Sequence, residues 1–328
     1  MALVARSRKL TPQSAPNQST RYNATGTRIY SLRHIKCHRH TCGPDDVYNE
    51  ALVHLPKVER TALLRTFNRS LSRGMVPREW RRATIVPLLK PGKPAGRVES
   101  YRPITLTSTI AKLMERILHG RLRHLVQSDS QAGFRAGMSS TDALIWLRAH
   151  AQPTNASKTP LTSAVFVAFD SVDHHLLLQR LQKLDVDPYL VRWALAFLTN
   201  RQVRVRMGNR HYSRVKKFTC GIPQGPLLFN IFMEDLSAEL NRSGAQHYFY
   251  ADDLTIVARE RDRELVLNQA LDMLSHWSRT NFMDVDVAKT KVCNFRSRSD
   301  APVICYRGTE LLNDDTRKFL GNSHRLEQ

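Results

Sequence analysis

Two adjacent acids, Asp252 and Asp253, stand in the middle of an apolar stretch that runs from residue 248 to residue 258. The aromatic and β-branched residues on both sides predict two strands, and the polar pair between them predicts a tight turn. Carboxylates at the end of a buried hairpin need a compensating cation, because burying an unpaired charge is costly. Mg²⁺ suits this position, since it commonly takes one or two carboxylates together with phosphate oxygens. The tetrapeptide Tyr250–Asp253 alone would suit an exposed turn, but its core-like flanks favour a metal site.

The composition points to a polyanionic partner. The 328 residues include 50 Lys+Arg against 29 Asp+Glu, a formal net charge of +21. Nucleic acid is the leading candidate and an acidic membrane surface a weaker one. A hydrophobic fraction of 41% supports a real core and excludes wholesale disorder. No apolar run approaches the ~18 residues of a membrane helix. The few cysteines argue against a disulfide framework, and Cys220, Cys293 and Cys305 are expected to be small buried hydrophobes.

Residues 1–40 are predicted to form a flexible basic leader. Lysine and arginine recur through this segment, and no acidic residue occurs before Asp45. Such a leader could bind phosphates by counterion release, although a solvated tail without that role is the favoured interpretation. A mitochondrial transit peptide has a similar composition, but the apolar periodicity that its helix needs is absent.

Helix and strand patterns alternate along the rest of the chain, which predicts a mixed α+β fold. Apolar residues at helical spacing predict a helix through Leu63–Leu71 that ends at Gly74, and Asp187-Pro188 predicts the start of another. Leu161–Phe169 is predicted to be a buried strand. Valines alternating with arginines over Val203–Arg206 predict a hairpin whose basic face points outward.

Short sequence blocks add a family resemblance. In chain order they are Gly43–Asp46, Pro77–Trp80, Ile85–Gly92, Ser100–Ile104, Gln131–Gly137, Ala168–His174, Gly221–Gly225, Tyr250–Asp253, Lys289–Lys291 and Phe319–Gly321. In these blocks the chain resembles the reverse transcriptases of non-LTR (LINE-like) retrotransposons, most of all those of trypanosomatid type, as a degenerate and truncated copy. Any one block is weakly diagnostic, but the ordered set is specific and covers nearly everything except the leader.

The resemblance implies a right-hand polymerase fold of the α+β class, with fingers and palm in which helices pack on an antiparallel sheet. A thumb is expected to be absent, because few residues follow Gly321. The implied division is a leader at 1–40, fingers at 41–160, a palm at 161–321 and a tail at 322–328. The reverse transcriptase domain as a whole would span 77–321.

The resemblance also implies roles for individual residues in nucleotidyl transfer from dNTPs to a DNA primer on an RNA template. Asp252 and Asp253 would hold Mg²⁺ (or Mn²⁺) in a two-metal mechanism. Five further residues would contact the nucleotide. Lys90 and Arg102 would neutralise its triphosphate. Phe169 would exclude a 2′-hydroxyl, and Gln224 would touch both the nucleotide and the template. Lys289 would orient the pyrophosphate.

Two departures from the family pattern predict that this copy is impaired. Relatives carry an Asp a few residues before the Ala-Phe-Asp tripeptide, whereas here Val167 runs directly into Ala168. A short Ser/Gly-containing insert is likewise missing between Gly225 and Pro226. Asp170 could substitute for the missing acid only if its strand slid and displaced Phe169 from its place under the sugar.

Three functional hypotheses follow from the residues and the resemblance. The first is an RNA-directed DNA polymerase, and the second is a catalytically dead, nucleic-acid-binding remnant of such an element. The third is an RNA-directed RNA polymerase or intron maturase relative, which fits the Ala-Phe-Asp and Tyr-Ala-Asp-Asp motifs less well. The family resemblance suggests an intracellular, nuclear location and no membrane partner, and the sequence leaves oligomeric state and localisation signal open.

Overall fold

The computed structural model describes residues 42–151, 161–166, 172–208, 211–218, 226–259, 262–294 and 303–313. The described helices are α1 (Asn49–Val53), α2 (Lys57–Arg73), α3 (Thr109–Leu122), α4 (Ser140–Ala151), α5 (His174–Lys183), α6 (Pro188–Leu198), α7 (Pro226–Leu240) and α8 (Arg263–Thr280). Short 3-10 turns occur at Arg78–Arg81, Val98–Ser100, Arg123–Leu125 and Asn241–Ser243. None of the described helices is long and apolar enough to span a lipid bilayer.

The described strands form two larger sheets and one small hairpin. They are β1 (Arg82–Leu89), β2 (Tyr101–Thr107), β3 (Leu161–Phe166), β4 (Arg201–Met207), β5 (His211–Tyr212), β6 (Lys216–Phe218), β7 (Gln246–Tyr250), β8 (Asp253–Ala258), β9 (Lys291–Asn294), β10 (Cys305–Tyr306), β11 (Thr309–Glu310) and β12 (Leu312–Asn313). Sheet A has the order β2-β1-β4-β5, with β6 also paired to β4. Sheet B has the order β12-β9-β3-β8-β7, and β10 pairs only with β11.

Sheet B is covered by helices on both faces. Alternate residues of β8, Leu254, Ile256 and Ala258, belong to the large core shared with α7 and α8. Val257, on the other face, packs in a smaller core with residues of α4. Because side chains alternate across a strand, the Asp253 position lies on the α4 face of the sheet. The helices confirm the predicted α+β class.

Sheet A combines neighbouring and distant parts of the chain. Strands β1 and β2 form an antiparallel pair, from Ala83 opposite Thr107 to Leu89 opposite Tyr101. Strand β4 returns more than a hundred residues later and lies parallel to β1. The predicted hairpin after Val203–Arg206 is confirmed by the pairing of β4 with β5. The division into leader, fingers, palm and tail, and the absence of a thumb, stay predictions.

The Gly43–Asp46 block is hydrogen-bonded to the start of α3 and stabilises it. The Asp45 carboxylate accepts hydrogen bonds from the Ser108 hydroxyl at 2.7 Å and from the Thr109 N–H at 2.9 Å. Ser108 itself caps the helix by accepting a bond from the Ala111 N–H. A β-carbon at Gly43 would lie 2.1 Å from the Thr107 carbonyl oxygen, so only glycine allows this approach. The block therefore has a structural role that its sequence did not reveal.

Glu115, a partly buried acid on α3, lies near Arg201 of sheet A. Burial raises the pKa of Glu115 to about 8, against the opposing charges of Arg201, Lys112 and Arg116. One Glu115 carboxylate oxygen is enclosed and has no hydrogen-bond partner among the described residues, and the same holds for one guanidinium nitrogen of Arg201. Burial likewise lowers the pKa of Arg201, to about 10. Both groups lie where their charged forms are poorly solvated.

Glu115 should make the free energy of unfolding fall as the pH rises. Its carboxyl keeps its proton up to about pH 8 in the folded chain but releases it near the ordinary value of 4.5 in the unfolded chain. Its stabilising effect is therefore complete below pH 4.5 and is lost as the pH rises through 8, by up to about 1.4 kcal/mol per pH unit. Urea unfolding at pH 5 and pH 8.5 should show a smaller decrease for Glu115→Gln than for the natural chain. Glu59→Gln, at an exposed position of α2, should leave the decrease unchanged. Equal decreases in all three chains would contradict the assignment.

Candidate active site

The twin acids lie at a two-residue hairpin turn between β7 and β8, as the sequence predicts. Tyr250 pairs with Asp253, which leaves Ala251 and Asp252 as the turn. Ala251 has a φ of +58°, the left-handed conformation that non-glycine residues rarely adopt. Strain of this kind is often found at functional sites, where the surrounding structure holds it in place.

The two carboxylates are half-buried and repel one another. Burial, and then the charge of Asp252, raise the pKa of Asp253 to about 6. The like charge of Asp252 beside this partly desolvated carboxylate disfavours its ionisation, and a cation between the two would remove that penalty. The turn thus has the electrostatic character of a cation site.

A segment from the region before α4, residues 128–135, packs against this turn and is here called the clamp segment. Its backbone joins the outer edge of β7: the Phe249 N–H donates to the Ser130 carbonyl at 2.7 Å, and the Ala132 N–H donates to the Phe249 carbonyl at 2.9 Å. The Gln131 side chain reaches the backbone of Ala251. The family block Gln131–Gly137 overlaps the clamp segment from Gln131 onward, but the sequence gave Gln131 no role. The sequence showed only a glutamine two residues before Gly133, and the burial of its side chain is visible only in the structure.

The two predicted phosphate-binding residues, Lys90 and Arg102, lie together at one end of the β1–β2 hairpin in sheet A. The Lys90 N–H donates to the Ser100 carbonyl at 2.8 Å, and its ammonium donates to the Glu99 carbonyl at 2.8 Å. Arg102 is exposed, and its position lies opposite Leu88. The structure thus brings these two cations together at the end of one hairpin of sheet A, whereas the twin acids belong to sheet B.

Lys289 lies in the turn that precedes β9. Its ammonium forms an exposed ion pair with Asp286, three residues earlier, and the hydrogen bond from Lys289 lowers the pKa of Asp286. A role for Lys289 at the pyrophosphate would require it to exchange this partner.

Three predicted site residues, Phe169, Asp170 and Gln224, lie outside the described residues. What the structure does describe is the end of β3, where Phe166 is paired directly opposite Asp253. The residues that follow are Val167, Ala168 and Phe169, so the first carboxylate after the strand is Asp170.

The residues present fit one cation that is shared by two carboxylates and completed by phosphate oxygens, as Mg²⁺ often is. Within the described parts of the chain, no three His, Cys, Asp or Glu side chains are grouped closely enough to hold a metal. A site with a third protein carboxylate is therefore not formed by those parts.

The family model described as "Reverse transcriptase (RNA-dependent DNA polymerase)" matches residues 88–323. Curated relatives carry similar names. The chain is 31% identical over 303 residues to "Probable RNA-directed DNA polymerase from transposon BS" of Drosophila melanogaster, a match that covers 85% of this chain and 33% of the relative. It is 26% identical over 300 residues to "RNA-directed DNA polymerase from mobile element jockey" of the same species, with 85% and 32% covered.

A third relative is "Retrovirus-related Pol polyprotein from type-1 retrotransposable element R2" of Popillia japonica, 27% identical over 254 residues, with 71% of this chain and 35% of the relative covered. The chain thus spans about a third of the length of the relatives it matches. The resemblance to non-LTR retrotransposon sequences is confirmed, and its trypanosomatid refinement stays a prediction.

Proposed function

This chain belongs to the reverse transcriptase (RNA-dependent DNA polymerase) family, and from that premise we propose that it is the polymerase domain of a non-LTR retrotransposon. Its reaction would be the addition of dNTPs to a DNA primer on an RNA template. The observation that carries the proposal is the half-buried pair Asp252 and Asp253 on a strained hairpin turn. Fingers and palm would correspond to residues 41–160 and 161–321. The strands at 201–218 lie within the palm range but would join sheet A, which would be the sheet of the fingers.

Mg²⁺ or Mn²⁺ is the proposed cofactor, and Asp252 and Asp253 are the residues that would hold it. When bound, such ions activate the primer 3′-hydroxyl and stabilise the charge on the leaving pyrophosphate. The protein's own contribution is to keep both carboxylates at one rigid turn, so that little reorganisation is needed when the cation and the nucleotide arrive.

The remaining predicted residues would bind the nucleotide. Lys90 and Arg102 share one end of the β1–β2 hairpin, which supports a joint role in neutralising the triphosphate. Arg102 is exposed and can offer a bidentate fork to phosphate oxygens. The sugar would be selected by Phe169, which would exclude a 2′-hydroxyl. The nucleotide would be contacted by Gln224, and the pyrophosphate by Lys289.

We further propose that catalysis is impaired in this copy. Strand β3 ends opposite Asp253, where a third carboxylate would complete the site, and the chain continues with Val167 and Ala168 instead. If the chain stayed extended beyond Phe166, Asp170 would lie about 13 Å further along at 3.3 Å per residue. That distance is too large for Asp170 to share a cation with the pair.

A second candidate function, that of a nucleic-acid-binding remnant without catalysis, is favoured by one specific observation. The described residues supply two carboxylates at the site and no third ligand, while basic residues of sheet A and of its connecting loop lie at exposed positions, such as Arg102, Lys217 and Arg214. A remnant would keep this phosphate-binding surface after losing the chemistry.

Metal titration separates the two candidates. The full chain should bind Mn²⁺, followed by electron paramagnetic resonance in the presence of dNTP, and Asp252→Ala should weaken that binding by roughly tenfold or more. Asp272→Ala, which removes an exposed acid from α8, should leave it unchanged.

The same chains should then be titrated with a primer–template duplex at several salt concentrations. A remnant would bind the duplex with a salt slope of roughly −0.9 for each phosphate neutralised, and with no dependence on Asp252. Mn²⁺ binding that Asp252→Ala does not reduce would overturn the metal site and leave the second function.

A further inference from the structure

The Gln131 side chain is one of the most completely buried polar groups beside the site, with 3% of its surface exposed. All of its described hydrogen bonds are directed at two stretches of backbone. Its Oε1 accepts from the Ala251 N–H at 3.2 Å and from the Gly133 N–H at 2.8 Å. Its Nε2 donates to the Ala251 carbonyl at 3.3 Å. One amide group therefore holds both backbone polar groups of the residue that precedes Asp252.

The residue held in this way is the strained one. An L-residue in the left-handed conformation costs about 1–2 kcal/mol, and Ala251 adopts that conformation with a φ of +58°. Holding its N–H and its carbonyl from one rigid side chain offsets the cost and prevents rotation of the adjoining peptides. Because Asp252 and Asp253 follow directly, the directions of their carboxylates depend on this backbone.

The clamp segment is itself secured from α7. The Asn230 side chain donates to the Gly133 carbonyl at 3.0 Å and is buried. The Glu234 carboxylate accepts from the Ser128 N–H at 3.0 Å. The Gln131 amide thus acts from a fixed support, since residues on both sides of it, Ser128 and Gly133, are bonded to one helix.

We propose that Gln131 is a positioning residue that fixes the Ala251 turn so that Asp252 and Asp253 can share a divalent cation. This inference rests on the proposed function, and it assigns a role to a residue whose family block gave it none. Gln131 would act through its hydrogen bonds to the backbone of Ala251.

The test compares Gln131→Met, which keeps the side-chain volume but loses the hydrogen bonds, with Gln131→Glu, which keeps the Oε1 acceptor. Gln246→Met, at an exposed position of β7, is the matched control. Amide hydrogen exchange by nuclear magnetic resonance should show faster exchange at the Ala251 N–H in Gln131→Met, by roughly tenfold or more, and retained protection in Gln131→Glu. Protection of the Phe249 N–H, which is bonded to Ser130, should persist in all variants. Mn²⁺ affinity should fall by roughly tenfold in Gln131→Met, as it does when a partner that orients a metal ligand is removed.

The outcomes separate this inference from the proposed function. If the natural chain shows Asp252-dependent Mn²⁺ binding and Gln131→Met binds equally well, the positioning role is wrong and the proposed function stands. If Gln131→Met loses protection at both the Ala251 and the Phe249 N–H, Gln131 has a general structural role, and that result would also overturn the proposal. If the natural chain binds no Mn²⁺, the metal site is wrong, and with it the sharing of a cation. The exchange rate at Ala251 would then still decide whether Gln131 fixes the turn.

Discussion

Insertion of a four-residue segment that begins with aspartate between Val167 and Ala168 should raise RNA-templated primer extension at least about a hundredfold over the natural chain. The inserted acid would come two residues after Phe166. Residues two apart in a strand share a face, and positions paired directly opposite share one too, so the new carboxylate would lie on the face of Asp253. It would supply the third acid that the described residues do not provide.

A matched insertion that begins with asparagine keeps the length and removes the charge, and it should give no gain. A Ser/Gly-containing segment inserted between Gly225 and Pro226 should add to the effect of the aspartate insertion but restore little alone, because it supplies no ligand. Asp252→Ala in the doubly repaired chain should abolish the gain. Primer extension with Mg²⁺ and with Mn²⁺ measures the natural chain and the five variants. Robust, Asp252-dependent extension by the natural chain would refute the proposed impairment.

The second large effect is expected at Gly133, where the clamp segment meets the turn. A β-carbon there would lie 2.1 Å from the Ala251 nitrogen and 2.9 Å from the Tyr250 carbonyl carbon. Both are backbone atoms, so no flexible side chain can move aside, and either the turn or the clamp segment must shift. Gly133→Ala should therefore lower the free energy of unfolding by about 3 kcal/mol, the upper end of the usual cost of overpacking.

Gly120→Ala is the matched control for this substitution. Gly120 lies within α3, and a β-carbon there would meet no described atom within 4 Å. Replacing a glycine inside a helix by alanine normally stabilises by about 0.5–1 kcal/mol, so the two variants should shift urea unfolding in opposite directions. A stabilised Gly133→Ala variant would show that the clamp segment does not press on the turn.

The features that the sequence predicted well are those whose signals are local. Asp187 caps α6 by accepting from the Tyr189 N–H at 2.8 Å, and Gly74 ends α2 with a φ of +59°. Each requires only a particular residue type at one position of the backbone. The β7–β8 turn was predictable for the same reason, because its strands are adjacent in the chain.

The contact between Gln131 and Ala251 joins residues 120 positions apart, and no local sequence pattern predicts such a contact. Side-chain direction was equally hard to predict in short strands. Cys293 is buried as expected, but the expectation for Cys305 is wrong, because it is exposed while its neighbour Tyr306 is buried. A two-residue strand shows too little alternation for the sequence to reveal which residue faces inward.

The parallel pairing of β1 with β4 has a consequence for how the chain is made. Until residues 201–207 have left the ribosome, the edge of β1 that later pairs with β4 has backbone amides and carbonyls without strand hydrogen bonds. Completing this sheet closes a loop of more than a hundred residues, an entropic cost that slows assembly. Nascent chains that end before Arg201 should therefore be the species most prone to edge-to-edge aggregation and most dependent on chaperones during translation.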